Sequence, residues 1–219
     1  VQFVFMIPDI IYVLENTGFD PSWRYFLNVV NGTDLKFGRD IYFTYGPLGY
    51  LFYLMKLPGN TIEYWSGIVI WGIIFLFHLW MLLQLYRLYQ KGKIHFWAIT
   101  ASVCCYLAGY YAPTRDNYLL YLMILAVVLW AKGAKNIVLI PNLLLLLMFF
   151  GKFSTFTSGF AFCILFCIFD VLFRKNWKSI WLFLPGIILM PVCYLVYCPS
   201  IKNLFEYVAG ILKISSGWM

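Results

Sequence analysis

The 219-residue chain is 63% hydrophobic and only 11% charged, with a mean hydropathy of +0.81. Soluble globular domains carry about 25% charged residues, so a water-soluble monomer is excluded. The 21 Phe, 17 Tyr and 9 Trp exclude disorder, because a chain this apolar collapses or inserts into lipid. The formal charge of +7 is read as Lys and Arg holding loops on the cytoplasmic side, with positive charge left for anionic headgroups or phosphate, and not as a nucleic-acid surface.

In chain order, apolar runs approaching the roughly 20 residues that cross a bilayer fall near 1–14, 62–86, 94–112, 117–131, 137–150, 159–173 and 180–198. The predicted architecture is all-α transmembrane, with about seven membrane-spanning helices and amphipathic interfacial helices in the first external loop. Residues 1–219 are expected to form a single transmembrane module from a longer chain. The clusters Arg87, Lys91, Lys93, then Lys132, Lys135, then Arg174, Lys175, Lys178 occupy alternate loops, which makes those loops cytoplasmic. Glu15, Asp20, Asp34, Asp40, Glu63, Asp116 and Glu206 then face the other side, and Asp170 alone lies near the cytoplasmic face. Cys104, Cys105, Cys163, Cys167, Cys193 and Cys198 lie mostly in apolar runs and read as small packing residues. His78, mid-crossing and without a second ligand at helical spacing, reads as bonded to a neighbouring helix.

Residues 15–60 form the one long external loop, ENTGFDPSWRYFLNVVNGTDLKFGRDIYFTYGPLGYLFYLMKLPGN. Asp20 before Pro21 is a helix-start signature, and Gly32 a stop. Trp23, Phe26, Leu27 and Val30 then share one face at the i, i+3, i+4, i+7 spacing, with Ser22, Arg24, Asn28 and Asn31 largely on the rest, the pattern of a helix lying in the membrane interface. A second amphipathic piece is expected in YGPLGYLFYLMK, with Tyr45, Tyr50 and Tyr53 at headgroup level. Arg39 beside Asp40 reads as an ion pair fixing the loop, and Asp34 as solvated.

One crossing, an external loop opening with an acid, an interfacial helix and further short crossings: this order resembles the membrane module of the C superfamily of glycosyltransferases, which use lipid-phosphate-linked sugar donors. GFDPSWRY, Gly18 to Tyr25, is similar to the acid-proline-aromatic-tyrosine stretch at the same topological place in the catalytic subunit of oligosaccharyltransferase. The run DPSW…FGRDIYFTYGPLGYL is similar to uncharacterised bacterial multi-spanning proteins of that superfamily. The resemblance implies that Asp20 matches the first-loop catalytic acid, whereas Arg24 and Tyr25 match in kind. It implies a multi-pass protein of the bacterial inner (plasma) membrane whose partners are membrane lipid and a lipid-linked sugar donor. The second external loop, YYAPTRDNY, offers Asp116 without the paired acids of metal-dependent members, and no WWDYG-like acceptor motif occurs. A divalent cation is therefore an optional cofactor, with no metal ligand assigned.

Sugar transfer from a polyprenyl phosphate needs a carboxylate to activate the acceptor hydroxyl and cations to stabilise the leaving phosphate. Asp20 is the candidate catalytic acid, read equally well as a helix cap. Arg24, Arg39, Asp40, Arg115, Asp116 and Lys152 are the candidate substrate-binding groups, the cations being suited to phosphate. In GKFSTFTSG, Lys152 reads first as a snorkelling lysine in an ordinary turn and second as a phosphate ligand among hydroxyls. Asp9, in VQFVFMIPDIIYVL, is either an intramembrane functional acid or an interfacial charge. Gly-rich phosphate cradles, nucleophile elbows and HExxH are absent from the sequence. The expected function is an integral membrane glycosyltransferase acting at the external face; the alternatives are a membrane transporter or flippase, and a noncatalytic envelope scaffold subunit.

Overall fold

Long apolar runs can satisfy their backbone in lipid only by closing every N–H on a carbonyl of the same segment, and every regular element among the described residues is accordingly helical. The computed structural model describes residues 19–111, 115–197 and 200–215. The expected first crossing, with Asp9, lies outside the described residues, as do the side chains of Asp20, Arg115, Asp116 and Lys135. The helices are α1 (Phe19–Val29), α2 (Thr61–Gln90), α3 (Phe96–Tyr111), α4 (Arg115–Ala131), α5 (Leu139–Gly151), α6 (Phe153–Arg174), α7 (Leu184–Tyr197) and α8 (Ile201–Ser215). Short 3₁₀ turns lie at Val30–Gly32, Gly49–Tyr53, Lys135–Ile137 and Trp177–Leu182.

Three of these segments are long and apolar enough to cross a membrane: Thr61–Gln90, Phe153–Arg174 and Trp177–Tyr197, the last joining a 3₁₀ turn to α7. Only 28% of each apolar window is buried by protein. Along α2 the uncovered side is a continuous stripe of Ile62, Trp65, Val69, Ile73, Leu76, Leu79 and Leu83. Such a stripe is a liability in water and a requirement in lipid. The other expected crossings are helices of 13 to 17 residues; thirteen residues rise only about 20 Å, short of a hydrocarbon core of about 30 Å. The chain is thus an all-helical membrane protein with three segments of spanning length among the described residues.

The chain packs as two units. Unit 1 comprises residues 1–75, 150–153 and 191–219, and unit 2 residues 76–149 and 154–190. In unit 2, His78 Nδ1 lies 2.9 Å from Tyr118 Oη, the interhelical bond expected of a histidine in a crossing. Asn142 does similar work: its Nδ2 donates to Val138 O and Trp181 O at 2.8 and 2.9 Å, and its Oδ1 accepts from Gly186 N at 2.7 Å. Cys163 and Cys167 are buried free thiols, Cys167 Sγ donating to Ser179 O at 3.1 Å.

Three helices of unit 2 end in left-handed residues, Gly92, Gly133 and Lys175. After α2 and α4 the paired bonds Gly92 N→Tyr89 O with Lys93 N→Leu88 O, and Gly133 N→Trp130 O with Ala134 N→Leu129 O, close the orphan carbonyls. After α6 the bonds Lys175 N→Val171 O and Asn176 N→Asp170 O do so. These ends carry the three basic clusters, and they gather: one cavity is lined by residues of 130–138 and 170–181, and a Cβ at Gly133 would lie 3.7 Å from Lys93 Nζ.

In unit 1, α8 buries Leu204, Tyr207 and Ile211, all at most 9% exposed, and Tyr207 meets Phe37 of the first loop edge-on with centroids 6.2 Å apart. Gly38, at φ +82°, is needed there: any Cβ would collide with Asn203 O and the Tyr194 hydroxyl. Tyr194 Oη donates to Phe37 O at 2.6 Å, so the loop is held from α7 as well.

Candidate functional site

The first loop carries the candidate chemistry, and its shape follows from a few buried polar groups. Helix α1 already includes Phe19 and Asp20, so the expected start at Pro21 is set too late. Its apolar face is as expected: Leu27 and Val30 are buried and Trp23 and Phe26 half-buried. Asn28, expected on the polar side, is 1% exposed. It donates through Nδ2 to Arg24 O and Tyr53 O at 2.9 and 2.8 Å and accepts from Met55 N at 3.0 Å. Asn60 extends this clasp, donating to Met55 O at 2.8 Å and accepting from Leu57 N at 2.9 Å. Two asparagines thus satisfy the backbone of a segment with no regular ladder of its own.

The second amphipathic helix expected in YGPLGYLFYLMK is instead the 3₁₀ turn Gly49–Tyr53, in which Gly49, Tyr50, Leu51 and Phe52 are buried. Tyr45 and Tyr50 are 7% and 5% exposed, core residues and not headgroup anchors. The cause is backbone docking: Gly46 N and Leu48 N donate to Gly151 O and Phe150 O at 3.0 and 2.8 Å, and Phe153 N donates to Thr44 O at 2.9 Å. A Cβ at Gly46 would come within 2.6 Å of Phe150 O, so glycine permits the approach. Lys152 is the single residue between α5 and α6 and pairs with Tyr45 as an isolated antiparallel bridge. The turn expected across residues 151–159 therefore shrinks to one residue. Ser154 to Ser158 are helical, with Thr157 Oγ1 and Ser158 Oγ donating to Ser154 O at 2.8 and 3.0 Å.

Around this docked segment stands an aromatic cluster. Trp23 stacks on Tyr45 with centroids 4.9 Å apart, meets Tyr53 edge-on at 4.6 Å and lies 6.1 Å from Phe43; the Tyr45 and Tyr53 hydroxyls are 3.3 Å apart. Two cations flank it: the Arg24 guanidinium carbon is 4.8 Å from the Tyr53 centroid, and Lys152 Nζ is 5.3 Å from that of Tyr45, both within cation–π range. Beside the cluster opens a slot of about 520 Å³ walled by Trp23, Phe26, Leu35, Ile41 and Phe43, with Asp40 at its polar edge.

Asp40 forms the expected pair with Arg39, which donates from Nε and Nη2 at 3.0 and 2.7 Å, while Lys36 N donates to Asp40 Oδ2 at 2.9 Å. The Arg39 bond first, and the Lys36 amide second, hold its carboxyl below the usual carboxylate range. Asp40 thus orients Arg39 and the turn, and is a weak base for a substrate proton. Asp34 is exposed, as expected.

Of the candidate residues, Arg24, Arg39, Asp40 and Lys152 belong to the first loop or to the segment docked on it in unit 1. Asp20 lies in the first turn of α1, on the same helix as Trp23 and Arg24; its side chain, with those of Arg115 and Asp116, lies outside the described residues. Among the described residues no three of His, Cys, Asp and Glu converge to hold a metal ion. Trp23, Tyr45 and Tyr53 are legible in the sequence as interfacial aromatics but not as one platform, because nothing local links residues 23, 45 and 53. Comparison with protein-family models, with curated proteins and with solved structures finds no match.

Proposed function

We propose that this chain is the membrane module of a glycosyltransferase of the C-superfamily type, moving a sugar from a polyprenyl-phosphate donor to an acceptor at the external face of a bacterial inner membrane. In this reading the shorter helices α3, α4 and α5 complete the crossings, the first loop faces outward, and the three basic ends face the cytoplasm. The observation that carries it is the pairing of an aromatic platform, Trp23, Tyr45 and Tyr53, with two cations and an adjoining slot of about 520 Å³. Aromatic faces suit the C–H faces of a sugar ring, and Arg24 and Lys152 suit a phosphate.

Asp20 takes the proton of the acceptor hydroxyl, whose oxygen forms the new bond to the anomeric carbon. The bond from that carbon to the phosphate oxygen breaks, and the lipid phosphate leaves with the electron pair. Arg24 and Lys152 stabilise the charge that develops on it.

The test is transfer from synthetic polyprenyl-phosphate sugars by the purified full chain in liposomes, with Trp23→Ala and Lys152→Gln beside the wild type. Transfer that falls at least about ten-fold in both variants, the scale of one lost charge-assisted contact, supports the assignment. Wild-type membranes that neither transfer sugar nor retain polyprenyl phosphate would refute it.

A further inference from the structure

Unit 2 holds a cavity of about 610 Å³ at its basic end, within the roughly 300–1,000 Å³ of small-molecule sites. Its wall includes Trp130 at the end of α4, Asp170 and Arg174 in the last turns of α6, and Asn176, Lys178 and Trp181 in the following segment. Asp170 is 0% exposed. Its Oδ2 accepts from Asn176 Nδ2 at 2.8 Å, whereas its buried Oδ1 has no hydrogen-bond partner and sees Arg174 Nη1 only at 3.6 Å. A buried carboxylate oxygen with no hydrogen bond and its one cation at 3.6 Å is incompletely satisfied.

The surroundings identify the kind of ligand. Arg174 and Lys178 line the same cavity, and Lys93 reaches its rim at Gly133. Arg174 thus stands 3.6 Å from the Asp170 carboxylate oxygen and Lys178 lines the same cavity, a pattern that matches an anionic phosphodiester with a hydrogen-bond donor beyond it. Trp177 and Trp181 are 70% and 54% exposed at this end. Tryptophan with Lys and Arg at the ends of apolar helices marks the headgroup level of a bilayer.

We infer that this cavity binds the headgroup of a membrane phospholipid that carries an N–H or O–H donor, its phosphate held by Arg174 and Lys178 and its terminal amine or hydroxyl donating to Asp170 Oδ1. The site is independent of the first-loop chemistry. A choline headgroup has the phosphate but no donor, so the site discriminates against it.

The test is native mass spectrometry of the full chain in detergent with phosphatidylethanolamine, phosphatidylglycerol and phosphatidylcholine of identical acyl chains. The first two should be retained about ten-fold better than the third, the worth of one hydrogen bond to a charged group. Asp170→Asn should erase much of that preference, and Lys178→Gln, an exposed change that spares the fold, should weaken all three lipids together. Equal retention of the choline lipid by the wild type would overturn the inference, as would an unaltered preference order and unaltered affinities in Lys178→Gln. Competition by water-soluble glycerophosphoethanolamine at the lipid's own affinity would overturn the lipid as occupant.

Discussion

The backbone of Tyr45 pairs with that of Lys152, and the Lys152 ammonium returns over the Tyr45 ring at 5.3 Å. One residue contact therefore pins the middle of the first loop to the point where the helical hairpin α5–α6 turns. It also carries a cation to an aromatic face without a flexible approach, since the lysine backbone is already held.

Gly38→Ala should destabilise unit 1 more than an average substitution. The residue sits at φ +82°, which costs a side chain about 1–2 kcal/mol, and its methyl would meet Asn203 O and the Tyr194 hydroxyl, adding about 1–3 kcal/mol of overpacking. Thermal unfolding in detergent should show a clearly lowered Tm. An unchanged Tm would mean that α8 and the loop do not hold each other here.

Asn28→Ala removes a donor and an acceptor from the buried clasp, leaving Met55 N–H and Tyr53 C=O without the partner they now share. At about 1–3 kcal/mol for each buried unsatisfied group, the loss should be visible in the same unfolding measurement. Asn28→Asp should be worse near neutral pH, because an acceptor-only carboxylate meets the carbonyls of Arg24 and Tyr53.

The turn at residues 36–41 should loosen in acid. The carboxyl of Asp40 is lowered from its ordinary value of 3.8 by Arg39 and the Lys36 amide. A lowered folded value means that the stabilisation is fully present above that ordinary value and is lost as pH falls through the folded one. Exchange of the Lys36 amide, corrected for its intrinsic rate, should accelerate only below about pH 4. Asp40→Asn should remove that pH dependence; exchange indifferent to pH in the wild type would show that the pair does not order the turn.

Asp20→Asn should lower sugar transfer by about 100-fold or more, the scale of a lost general base, while leaving the unfolding temperature close to that of the wild type, since Asp20 lies within the first turn of α1 and the isosteric amide gives up only a modest favourable interaction with the helix dipole. Full transfer by Asp20→Asn would move the proton acceptor elsewhere, with Asp116 the next residue to replace.

The parts legible in the sequence are those with a local cause. Apolar runs at 62–86, 159–173 and 180–198 mark the three segments of spanning length, and Arg39 beside Asp40 announces its own ion pair. Helix α8 is not legible because Lys202, Asn203, Glu206 and Lys213 interrupt its apolar run; its buried stripe is only Leu204, Tyr207 and Ile211. Helix α6 starts six residues before its apolar run, since Thr157 and Ser158 return their hydroxyl protons to Ser154 O and so look polar without needing water. The docked segment at residues 44–48, the Asn28–Asn60 clasp and the Tyr194–Phe37 bond join residues far apart in the chain, and no periodicity records such pairings.

The docking of Gly46 and Leu48 on Phe150 and Gly151 also sets an order of assembly. The chain is made from its N-terminus, so the loop is synthesised about a hundred residues before its partner, and at about 5–20 residues per second it waits roughly 5–20 s. During that interval the amides of Gly46 and Leu48 lack the acceptors they take from Gly151 and Phe150, and Tyr45 lacks the Lys152 ammonium over its ring. The aromatic loop is therefore the segment most open to capture by a chaperone or to mispairing during biogenesis, and it closes only after the hairpin turning at Lys152 has been inserted.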